Sequence, residues 1–135
     1  MSRSGYSDDL DVLQLGRWRG IIRSASKGQR GQAFFRSLVE ALDAMPDKRL
    51  GKDDMVDDSG CMCSLAALAK HRGSDPDRLN PYDYKSLGQE FNIAHQLARE
   101  VMYHNDQGTW KRETPEDRWL RMRNWAAEQA GLPAA

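Results

Sequence analysis

Only two cysteines occur among the 135 residues, Cys61 and Cys63, and they stand two positions apart. A bridge between them would close a tiny, strained loop, so a disulfide framework is excluded and both are expected as free thiols in a reducing compartment. Long apolar runs are missing too. Nothing approaches the roughly 20 apolar residues that cross a bilayer, and the opening MSRSGYSDDLDV has no apolar block of the signal-peptide kind. A cytoplasmic protein with no membrane partner is the expectation. Net charge is also absent, since Lys+Arg and Asp+Glu each total 20. That removes a general attraction to nucleic acid or anionic lipid and leaves only local clusters.

What the chain does have is helical periodicity, in five places, with no strand alternation and no internal repeat. We therefore expect an all-α fold, one compact domain over 1–135 built as a bundle of five to six helices, with 1–7 and 132–135 as flexible ends. This length hides enough surface for a core without staples. The first helix should run from Asp8 to Ser26, with Leu10, Leu13, Trp18, Ile21, Ile22 and Ala25 inward and Gly16 and Gly20 weakening it. A second follows the glycine punctuation KGQRG, is lined by Phe34, Phe35, Leu38, Leu42 and Met45, and stops at Pro46. Residues 46–60, PDKRLGKDDMVDDSG, read as an irregular acidic loop or a short hairpin through Leu50 and Met55-Val56.

The stretch SGCMCSLAALAKHRG makes the third helix, stopped by Gly73 in a left-handed conformation. Its small residues Cys63, Ala66, Ala67 and Ala69 would let another helix approach closely. Asn80 before Pro81 signals a short helix to Glu90. Ala94, Leu97, Ala98, Val101 and Met102 define the next, fading near Asn105. Thr114-Pro115-Glu116-Asp117 starts the last, with Trp119, Met122, Trp125 and Ala126 along one side. The expected core is Trp18, Phe35, Phe91, Trp119 and Trp125 with Leu38, Leu42, Leu65, Leu68, Leu97 and Val101. Trp110 is expected to be partly exposed, where it could anchor an interface.

The cysteines raise the sharpest chemical question. Positions i and i+2 point to nearly opposite sides of a helix but to one face of an extended segment, so Cys61 and Cys63 could share a metal only if the chain is extended there. The customary spacing of zinc ligands is missing, and His71, His95 and His104 are isolated from one another. As a nucleophile, Cys63 near a helix N-terminus would have its thiol pKa lowered, but a base must reach it. His71 lies roughly 12 Å along the same helix, so only His95 or His104 could serve. The preferred reading makes Cys63 a small buried hydrophobe, with no cofactor and no metal.

Two stretches suggest binding. Residues 87–101, LGQEFNIAHQLAREV, look like a helix-turn-helix, with Gly88 at the small position, Asn92 in the left-handed turn and Phe91, Ile93 and Val101 inward. From Pro81 to Asp106, however, Lys85 and Arg99 face Asp83, Glu90, Glu100 and Asp106, so a reading helix there would meet phosphates with net negative charge. Between Val12 and Val39, Arg17, Arg19, Arg23, Lys27, Arg30 and Arg36 occur with no acid among them. Interleaved with Trp18, Phe34 and Phe35, they form a candidate patch for nucleic acid or an acidic protein surface, the alternative being a solvated face.

The segments KGQRGQAFFRSLVEALDAMPDKRL, CSLAALAKHRG, FNIAHQLAREVMYHND and ETPEDRWLRMRNWAAEQ resemble a group of small phage and prophage proteins without known activity. The resemblance covers most of the chain from Trp18 to Gln129. The resemblance implies glycines in relatives at Ala66 and Ala69 and a single cysteine at Cys63, from which Cys61 departs. It implies a setting in a host cell, and hence an accessory protein that binds a host protein or nucleoprotein complex, such as a defence or nucleic-acid-processing complex, without catalysis. The alternatives are a DNA-binding regulator through 87–101 and a small cysteine enzyme or zinc protein centred on Cys63.

Overall fold

The computed structural model describes residues 12–107 and 112–135, and Leu10 and Trp110 lie outside the described residues. Six α-helices run through them: α1 Val12–Lys27, α2 Gln29–Ala44, α3 Ser64–His71, α4 Tyr84–Phe91, α5 His95–Asp106 and α6 Pro115–Ala130. A short 3₁₀ turn, Pro76–Arg78, precedes α4. The fold is an all-α bundle. Helix α2 is its axis, packed on α6 along one side and on α3 and α1 along others, while α4 and α5 form a pair. No described helix is long and apolar enough to cross a membrane.

The core is continuous. Phe34, Phe35, Leu38 and Leu42 of α2 meet Leu65 and Leu68 of α3, Leu97 and Val101 of α5, and Met122 of α6, all buried. Phe34 stands edge-on to Phe35 and to Phe91, with ring centroids 5.2 and 6.3 Å apart. Such packed rings contribute beyond the area they hide. The small face of α3 is wholly enclosed, Ala66 and Ala69 included.

The tryptophans depart from the expected core. Trp18, Trp119 and Trp125 are only partly buried. Each indole spans the edge of the core because it carries a polar or cationic neighbour: Trp119 donates from Nε1 to the Leu42 carbonyl at 3.0 Å with Lys48 over its ring. The bulky interior is filled by phenylalanine, leucine and methionine instead. In α1, Leu13 and Ile21 are exposed rather than inward. That helix packs chiefly on α2 and α5, through the arc holding the partly buried Trp18, Ile22 and Ala25, and Leu13 and Ile21 lie outside it.

Other differences have local causes. Helix α2 begins inside the glycine punctuation, because Gly31 is a packing residue: a Cβ there would sit 1.9 Å from the Ala25 carbonyl oxygen. Helix α4 starts three residues after Pro81, since Asn80 accepts from the Tyr82 N–H to make a turn and Asp83 becomes the cap, accepting from Ser86 N at 3.2 Å. The acidic loop is tied down from within. Leu50, Gly51 and Met55 are buried, Val56 pairs with Met62 in an isolated antiparallel bridge, and Gly51 N–H donates to the Met62 carbonyl on the other side. Leu50 and Met55-Val56 thus flank the 61–63 segment instead of pairing with each other.

Thr114 caps α6 through a reciprocal box with Asp117, as its sequence signals. The 132–135 tail runs back along α6, with Arg123 donating to the Pro133 carbonyl at 2.6 Å and Asn124 accepting from Ala135 N.

Candidate functional site

Helix α1 carries the strongest concentration of one charge sign, four cations and no acid in VLQLGRWRGIIRSASK. Residues four apart drift by about 40° and rise by about 6 Å, so Arg19, Arg23 and Lys27 make one stripe. All three are exposed. The stripe forms one wall of a groove of about 350 Å³, in which Trp18 and Ile22 supply apolar surface and Glu100 of α5 and Gln129 of α6 form the facing side. Gln129 is fixed there because Gln32 bonds its carbonyl at 2.8 Å.

The remaining cations do not join this stripe. Arg17 falls about 160° around the helix from Arg19. Arg30 lies past the α1–α2 turn and donates to Asn92 Oδ1 at 3.4 Å, and Arg36 is exposed farther along α2. The linear run of six is therefore one stripe of three and three scattered cations.

The single acid in the groove is already engaged. Glu100 Oε2 accepts from Trp18 Nε1 at 3.2 Å, and Oε1 lies 3.3 Å from His104 Nε2. Arg99, its neighbour on α5, is held between the rings of Trp18 and Tyr84, about 5 Å from each. Sequence reasoning missed Glu100 as part of this site, because its position opposite α1 follows from helix crossing and not from spacing.

The helix-turn-helix geometry is present in α4 and α5. Asn92 has φ 54°, and a Cβ on Gly88 would approach the Ile93 carbonyl to 2.8 Å, so both residues are where the tight turn requires them. Leu87, Phe91, Ile93, Leu97, Ala98 and Val101 are buried beneath. Of the acids in this stretch, Asp106 is buried, Glu90 pairs with Arg78 at 2.9 Å, and Asp83 is an exposed cap. Helix α1 packs on α5, with Trp18 bonded to Glu100 and its ring against Arg99.

The thiols occupy different surroundings. The chain is extended through 61–63, with Cys63 as the N-cap of α3 at φ −77°, ψ 173°. Cys63 is fully buried, and its Sγ lies 3.7 Å from Met55 Sδ. Cys61 rims a separate cavity of about 320 Å³ between the end of α2 and the end of α3. Burial pushes the Cys61 thiol pKa up, and the Asp57 carboxylate adds to that. His95 is exposed in the first turn of α5, and His104 stacks on Trp125 at 4.3 Å. Neither histidine bonds to a cysteine sulfur among the described residues. Those residues also bring no three His, Cys, Asp or Glu side chains together as a metal site.

A buried polar cluster beside α6 was also not legible. Arg118 donates to the Leu50 carbonyl at 3.1 Å, Glu113 lies 2.6 Å from Arg121 Nε and 3.3 Å from Arg118 Nε, and Asn105 accepts from Ser64 N while donating to the Gly51 carbonyl. These bonds satisfy backbone groups of the acidic loop and the α3 start, which is a structural role. No family model, curated protein or solved structure matches the chain.

Proposed function

We propose that the chain is a small accessory protein without catalysis, of the phage-encoded kind its sequence resembles, that binds a protein of its host through the α1 groove. The supporting observation is that Arg19, Arg23 and Lys27 line one wall of an open groove in which, among the described residues, the only carboxylate is committed to Trp18 and His104. Such a groove attracts anionic groups and leaves them free cations to meet.

The partner is an acidic and partly apolar protein surface, not a polyphosphate. Trp18 and Ile22 line the groove beside the cations, so apolar and charged contacts adjoin one another at helical spacing. A carboxylate-bearing amphipathic helix offers both. Nucleic acid would gain little from that apolar surface, and the zero net charge gives it no long-range attraction. A regulator that inserts α5 into DNA is disfavoured by α1 lying across that helix.

The test is a pull-down from nuclease-treated host lysate with wild type and with an Arg19→Ala, Arg23→Ala variant, at low and moderate salt. A stoichiometric protein retained by wild type at low salt and lost by the variant supports the reading. Equal recovery by both removes the groove as the docking site, and a partner lost on nuclease treatment replaces protein with nucleic acid.

A further inference from the structure

A second basic hollow shares no lining residue with the groove. It has a volume of about 520 Å³ and sits beside the turn between α4 and α5, where Arg30 of α2, Lys85 and Gln89 of α4, Asn92 of the turn and His95 of α5 converge. Among the described residues no carboxylate lines it. Of the acids on α4 and its cap, Asp83 has its two oxygens bonded to Ser86 N and Ser86 Oγ, and Glu90 pairs with Arg78. Arg30 reaches toward the hollow through its bond to Asn92 Oδ1.

We propose that this hollow binds the phosphate group of a small phosphorylated metabolite. Arg30 and Lys85 supply two positive charges from different elements, which suits a dianion better than a monovalent one. His95 adds a ring N–H, and the carboxamides of Gln89 and Asn92 match hydroxyl groups on the rest of the ligand. Among the described residues no phenylalanine, tyrosine or tryptophan lines the hollow, and His95 is its one ring. The size is in the range of small-ligand sites, which run roughly from 300 to 1,000 Å³, and leaves room beyond a bare phosphate. The cations and the cavity define the site, and the first turn of α5 adds to them. Its N-cap is Ala94, which offers no side chain to the first N–H groups, so these remain donors for an anion.

The site is separate from the α1 groove, and its test does not depend on any protein partner. The full chain labelled with ¹⁵N is titrated with inorganic phosphate and, separately, with glycerol phosphate, with chloride holding ionic strength constant. The expected result is a saturable shift of the Ala94, His95 and Gln96 amides, with glycerol phosphate bound at least as tightly as phosphate. An Arg30→Gln, Lys85→Gln variant with an unchanged circular dichroism spectrum should bind about tenfold more weakly. Arg36→Gln, which removes one equal charge elsewhere on the surface, should bind as wild type does. Shifts that grow without saturation, that chloride reproduces, or that survive the double substitution overturn the site. A short DNA duplex that saturates the same amides more tightly than either small anion also overturns it, by making the hollow a contact for a nucleic-acid backbone.

Discussion

The indole Nε1 of Trp18 on α1 donates to the Glu100 carboxylate on α5 across 3.2 Å, joining residues 82 positions apart. This bond, with Arg99 stacked on the same indole, fixes where α1 crosses the bundle. It thereby sets the groove, because Glu100 forms the side facing the cationic stripe. Replacing Trp18 with alanine should loosen α1 while leaving the rest folded. The cost should be about 1–3 kcal/mol, below the roughly 3–5 kcal/mol of a fully buried tryptophan, since this one is only partly buried. Hydrogen exchange should quicken in α1 and stay slow in α2 and α3. Unchanged protection of the α1 amides would contradict this anchoring.

Two glycines near each other should respond with opposite signs. A Cβ at Gly31 would meet the Ala25 carbonyl at 1.9 Å, whereas one at Gly20 would meet nothing within 4 Å. Gly31→Ala should therefore destabilise by at least about 1–3 kcal/mol through forced backbone shifts. Gly20→Ala should stabilise by roughly 0.5–1 kcal/mol through helix propensity. Denaturant midpoints of the two variants on the same side of wild type would contradict these contacts.

The two thiols should separate kinetically. Burial and the Asp57 charge raise the Cys61 pKa, so its alkylation should be slower than that of a free cysteine and should reach its plateau only at a higher pH. Asp57→Asn should shift that profile back toward lower pH. Cys63 is sealed against Met55 and should react only as fast as the chain opens globally. Mass spectrometry of alkylated peptides over time checks both, and rapid labelling of Cys63 in the native protein would contradict its burial.

Asp43 carries an acid-side dependence. The side-chain hydrogen bond from Arg123 holds its carboxyl below the ordinary aspartate value, with Nε and Nη2 bonded at 2.9 and 3.0 Å. A carboxyl with a lowered folded pKa stabilises the fold above its unfolded pKa, and that contribution fades as pH falls through the folded value. Asp43 is nearly half exposed, so solvent keeps the effect to about 0.2–1 kcal/mol. Asp43→Asn should lower stability at neutral pH by that amount and converge with wild type in strong acid. A difference that persists undiminished at low pH would contradict the ion pair.

The fold was largely legible because its signals are local. The Thr114–Asp117 box, the left-handed Gly73 and Asn92, and the periodic Phe34–Leu42 face each follow from a few neighbouring residues. What could not be foreseen depends on crossings between distant elements. Leu13 and Ile21 have the spacing of core residues, yet α1 has too few neighbours to cover them. The basic run looked continuous because sequence order hides the angle between Arg17 and Arg19 and the turn that carries Arg30 away. That α1 packs on α5, with Trp18 bonded to Glu100, is likewise invisible in the local pattern of 81–106.

The most direct test of the central claim is the salt dependence of affinity for the partner recovered on wild-type protein, compared with that of the Arg19→Ala, Arg23→Ala variant. With the groove as the docking surface, wild-type affinity falls steeply between low and moderate salt, and the variant binds more weakly with a visibly shallower slope. Parallel lines of equal affinity would contradict it.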